Sequence, residues 1–84
     1  HGPHRALEAV FELNFAALGA ACRVVGIGGH PAVRQRLIDL GLYPGREIVV
    51  LRNAPLNDPI EIKIGDSYIA VRRHEAASVE VEYV

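Results

Sequence analysis

The chain has 84 residues, half of them hydrophobic, and a formal net charge of -1. That length allows one domain with a modest core, and the apolar content excludes an intrinsically disordered tail. The near-neutral charge argues against a dedicated nucleic-acid binder, which carries a basic footprint, and the single cysteine, Cys22, excludes an internal disulfide, so a reducing cytoplasm fits better than a stapled secreted scaffold.

The chain starts at His1 and contains no Met. A processed or appended N-terminus is expected, and His1-Gly2-Pro3-His4 carry no functional reading. No secretory signal pattern opens the sequence. The longest uncharged runs, 13–22 and 24–33, are ten residues each. Both fall short of the roughly 18 residues of a membrane-spanning helix.

Arg5 to Phe15 places Leu7, Val10, Phe11 and Phe15 near helical spacing, which predicts a helical or loosely ordered lead-in. Phe15 to Gly19 then reads as an anchor packed on the main body. The β-branched residues Val24, Val25 and Ile27 predict a first strand over Ala21 to Ile27, ended by Gly28-Gly29. Pro31 is well placed to start a helix, because the first turn does not need its missing N–H. From Pro31 to Leu40 the helix sets Val33, Leu37 and Leu40 on one face, and Gly41 is expected to end it at positive φ. Pro44-Gly45 matches the centre of a type II turn.

The second strand is expected over Arg46 to Arg52, and Pro55 to Pro59 as a loop. Ile60-Glu61-Ile62-Lys63-Ile64 alternates, so its isoleucines point inward. Gly65-Asp66 suits a two-residue hairpin, followed by a fourth strand over Ser67 to Arg72. His74 to Ala77 reads as one helical turn. The fifth strand, Val79 to Tyr83, alternates again, with Val79, Val81 and Tyr83 inward. Five short strands joined by tight turns predict a mainly β fold, a small closed barrel with one short inserted helix and no exposed sheet edge.

Gly26 to Pro31 sits between a strand and a helix, where a phosphate cradle would lie. Pro31 stands where the dinucleotide fingerprint needs its third glycine, and no P-loop Lys-Ser/Thr pair follows, so the segment reads as a tight turn. His30, His74 and Cys22 have no partner at a metal-ligand spacing. Ser67 and Ser78 lie at strand starts with no activated-nucleophile signature. No cofactor, metal site or catalytic group is therefore assigned. Leu37 is read first as core, a leucine at helical spacing. Leu42 and Tyr43 fall in the link after the helix, where apolar side chains are harder to hide. With Leu37, and rimmed by Arg34, Arg36 and Arg46, they form a candidate partner-docking patch. Arg72-Arg73 either extend that rim or are solvated. The expected docking residues are Arg34, Leu37, Leu42, Tyr43 and Arg46.

Arg36-Leu37 with Leu40-Gly41-Leu42-x-Pro44-Gly45, then Ala54-Pro55-Leu56-x-Asp58-Pro59-Ile60, then Ile69-Ala70-Val71-Arg72 with Glu75-Ala76, resemble the ferrous iron transport protein A (FeoA) family. Asn57 departs from the glycine common there, although asparagine tolerates the same turn. The likeness runs over 13–84, leaving 1–12 as an extension. It implies a free-standing Src-homology-3-like (SH3-like) barrel acting in the cytoplasm as a non-catalytic accessory protein. It also implies a FeoB-type membrane Fe(II) transporter with a GTP-binding domain as partner, hence a location peripheral to the inner membrane. A homo-oligomer is compatible with this reading; nucleic-acid binding and membrane insertion are not expected. The alternative is the C-terminal SH3-like domain of an iron-dependent repressor of the diphtheria-toxin-repressor (DtxR) type. A third reading, direct binding of a transition metal ion, has only the four His and one Cys in its favour.

Overall fold

Alternating apolar side chains build the sheet. The computed structural model describes residues 10–53 and 58–84. The first part of the expected lead-in and most of the expected Pro55–Pro59 loop lie outside them. The strands are β1 (Phe11–Glu12), β2 (Ala21–Ile27), β3 (Glu47–Asn53), β4 (Ile60–Ile64), β5 (Ser67–Val71) and β6 (Val79–Tyr83). Helix α1 (Pro31–Asp39) lies between β2 and β3, and a short helix, Arg73–Ala76, lies between β5 and β6. All pairings are antiparallel, in the order β1-β6-β2-β3-β4-β5. The fold is mainly β and SH3-like, as the sequence suggests.

The core collects the inward face of each strand. Cys22 and Val24 of β2, Ile48 and Val50 of β3, Ile60, Ile62 and Ile64 of β4, and Val79 and Val81 of β6 are all buried. Each large side chain removed from water contributes roughly 1.5–3 kcal/mol. One break in the alternation differs from expectation. Tyr83 is half-exposed at the end of β6, where its ring lies 4.7 Å from that of Phe11 and its hydroxyl accepts the Ala17 N–H at 3.1 Å.

The helical lead-in is not seen where the structure reaches it. Phe11 pairs with Val81 and Glu12 with Glu80, and Leu13–Phe15 is a single 3-10 turn. A helix this short is marginal in water, and the ladder to β6 outweighs the local preference. The expected anchor shifts as well. Leu13 is buried, whereas Phe15 and Leu18 are exposed.

Helix α1 is capped at both ends. His30 Nδ1 accepts the Ala32 N–H at 3.1 Å, and Pro31 fills the first helical position. At the other end the Leu42 N–H reaches the Leu37 carbonyl at 2.9 Å and the Gly41 N–H reaches that of Ile38 at 2.9 Å. This is a Schellman motif, and Gly41 supplies its left-handed residue at φ 109°. The chain then turns through Pro44-Gly45, with the Arg46 N–H bonded to the Tyr43 carbonyl at 3.0 Å and Gly45 at φ 92°, a type II turn.

The sheet curls around the core without full closure. Among the described residues its end strands, β1 and β5, are not ladder neighbours, and β5 has one side without a partner strand. Among the same residues the expected absence of sheet edges is not seen, because β1 spans two residues and pairs with β6.

Candidate docking surface

The end of α1 and the turn after it position the candidate surface, and the structure divides the expected residues into two groups. Leu37 and Leu42 are both 0% exposed and belong to the core. In this fold neither presents surface to a partner. The Schellman motif is the reason, since its last carbonyl bond folds Leu42 back under the helix it has just left. Tyr43, the next residue, is driven outward and is 40% exposed.

Arg46 holds Tyr43 in place from across the type II turn. Its Nη1 donates to the Tyr43 hydroxyl at 2.7 Å, and its guanidinium carbon lies 5.6 Å from the ring centroid. A cation stacked on a ring at such an exposed place contributes about 0.5–1 kcal/mol, enough to favour one orientation of the pair. Leu40 is also exposed there, at 38%, together with Pro44 and Gly45. The helical spacing had set Leu40 on the buried face. It is instead the C-cap, where the chain leaves the helix and the period stops applying. A glycine one residue later was the available signal.

The arginine rim is only partly present. Arg34 Nε donates to the Ile27 carbonyl at 3.3 Å and ties the first turns of α1 to the end of β2. Arg36 is turned to the carboxylate of Glu75, a buried residue of the short helix. Arg72 pairs with Asp58 at 3.9 Å, and Arg73 donates to the Asn14 carbonyl. Of the five residues expected at the surface, Tyr43 and Arg46 are brought together, Arg34 is exposed beside the start of the helix, and Leu37 and Leu42 are core.

Other constellations resolve as structure. Gly29, at φ 81°, passes so close to Ser78 that a Cβ would lie 3.1 Å from the Ser78 Cβ, which accounts for the glycine at that position. His30 is engaged in capping. Burial pushes the Cys22 thiol above its ordinary range, which disfavours the thiolate needed for attack or metal ligation. Among the described residues no three His, Cys, Asp or Glu side chains converge as a metal cluster. A hollow of about 410 Å³ lies open between Glu12, Gly26, Ser78 and Glu80. No helix among the described residues is long and apolar enough to cross a membrane.

Comparison with known proteins agrees with this architecture. A family model described as the FeoA domain matches residues 11–83. An Fe(2+) transport protein A/Fe(2+) transporter FeoB fusion protein of Porphyromonas gingivalis is 36% identical over 61 residues, covering 73% of this chain and 7% of that protein. The chain therefore spans a small fraction of that relative's length. Among solved structures, FeoA of Chlorobium tepidum superposes with a TM-score of 0.82 at 39% identity, covering 88% of this chain and 70% of that one. A zinc-complexed FeoA of Stenotrophomonas maltophilia, described as a procaryotic SH3 domain protein, has a TM-score of 0.74 at 25% identity, covering 86% and 89%. A manganese-dependent transcriptional repressor shares the fold alone, with a TM-score of 0.80 at 16% identity over 89% of this chain and 42% of that one.

Proposed function

This chain belongs to the FeoA family, and from that premise we propose that it is a non-catalytic accessory domain of ferrous iron uptake. In this reading it works in the cytoplasm, docked on the GTP-binding domain of a membrane Fe(II) transporter, and its docking face is the turn that carries Tyr43 and Arg46. One observation carries the reading. In the Porphyromonas gingivalis relative, the segment similar to this chain is joined to the transporter in a single polypeptide. Covalent linkage converts an encounter into an intramolecular event at high effective concentration. Where such a domain is not joined to its transporter, a docking surface must do the same by affinity.

Tyr43 and Arg46 suit that task. Aromatic and arginine side chains dominate binding energetics when they become desolvated. Here the two are already in contact, so part of their side-chain ordering cost is met before docking. Exposed Leu40 and Pro44 add apolar area beside them. The cationic guanidinium selects an acidic or carbonyl-lined counterpart.

The test is a pull-down of the chain against the cytoplasmic domain of the transporter, with and without guanine nucleotide. Tyr43→Ala is expected to weaken association about tenfold or more, with an unchanged melting temperature. Undiminished binding by that variant would refute the assigned face, and no binding by the wild-type chain would refute the docking role.

A further inference from the structure

The open side of β5 has no counterpart in the docking reading and does not depend on it. Natural edge strands ordinarily carry a charge, a proline or a bulge that discourages a second strand. Ser67-Tyr68-Ile69-Ala70-Val71 has neither charge nor proline, and its register with β4 runs without a shift. Among the described residues β4 is its one ladder neighbour.

The backbone groups on that open side can be assigned. The two-residue Gly65-Asp66 loop makes Ile64 and Ser67 a hydrogen-bonded pair. Alternation along an antiparallel ladder then gives the same status to Ile62 with Ile69 and Ile60 with Val71. The N–H and C=O groups of Tyr68 and Ala70 consequently face away from β4.

We propose that β5 is a self-pairing edge, through which two copies of this chain associate with their β5 strands antiparallel about a two-fold axis at Ile69. Ile69 is the midpoint of the strand, so this register alone overlaps all five residues and pairs every outward backbone group of Tyr68 and Ala70. Side-chain size agrees. Tyr68, 66% exposed, falls opposite Ala70 of the second copy, large against small, twice over. A one-residue slip would send each side chain to the wrong face. On the inner face Ile69 is only partly buried against the core, and Ile69 of the second copy covers it.

Sedimentation equilibrium of the chain over a concentration series tests this. The mass is expected to rise from one chain to two, with a dissociation constant on the order of 100 μM, as befits a small interface. The Tyr68 and Ala70 amides should exchange more slowly as the dimer forms. Ala70→Pro removes an N–H that β4 does not use, and should weaken pairing about tenfold or more without loss of the fold. A one-chain mass throughout overturns the proposal, including the case in which the edge pairs with a strand of another protein. So does a dimer whose Tyr68 and Ala70 amides exchange as fast as in the monomer, a reading on the wild-type chain that needs no variant.

Discussion

Leu37→Ala is expected to lower the stability of the isolated chain by about 2–5 kcal/mol. The leucine is fully buried where α1 meets the sheet, within one cluster with Leu42, Ile48, Ile62 and Ile64. Truncation removes its burial free energy and leaves a cavity that the capped helix end cannot collapse into. A domain of 84 residues is held by roughly 4–13 kcal/mol, so the loss is a large fraction of the total. Urea unfolding should show a lower midpoint at unchanged slope. A polar substitution at Leu37 would likewise impair association with any partner by unfolding the chain, not by altering its surface. If Leu37→Ala left the midpoint in place, the helix would not be packed as described.

Glu75→Gln is expected to cost about 2–3 kcal/mol, less than the 3–5 kcal/mol of a fully buried pair because the Arg36 side chain is half-exposed. Glu75 is 6% exposed, yet it receives the Arg36 guanidinium and accepts the Arg72 N–H at 3.3 Å. The residue thus joins α1 to the short helix before β6 and satisfies the N–H at the start of that helix. Glutamine keeps the shape and an acceptor but not the charge. The double variant Glu75→Gln/Arg36→Met should recover part of the loss, because no unpaired cation is then left against the core. Additive losses in thermal unfolding would mean that the pair contributes nothing as a pair.

The regular parts of this fold were legible because local chemistry and tertiary demand agree in them. β4 alternates, and all three of its isoleucines are buried. Gly41 and Pro44-Gly45 require particular backbone geometries, and the chain adopts them there. The misread positions are those where distant contacts decide. Phe11 joins a strand because β6, some seventy residues away, offers it a ladder and an aromatic partner. Tyr83 follows the alternation of β6 but sits beyond the covered part of the sheet. The surface shows the same division. Tyr43 and Arg46 meet beside a turn that the sequence marks, whereas Leu42 is buried by a Schellman fold-back that is not visible as a spacing. The Arg36–Glu75 pair, which takes Arg36 out of the rim, spans 39 residues and leaves no local trace.

Where a partner touches this chain decides whether the turn at Tyr43 is its docking face. Amide chemical shifts of the labelled chain, followed as the cytoplasmic GTP-binding domain of the Fe(II) transporter is added, measure that contact. The largest changes are predicted at Leu40, Tyr43, Gly45 and Arg46, with the Leu37 and Leu42 amides moving less. Changes gathered instead around the Glu12–Glu80 hollow, or no change at saturating partner, would contradict it.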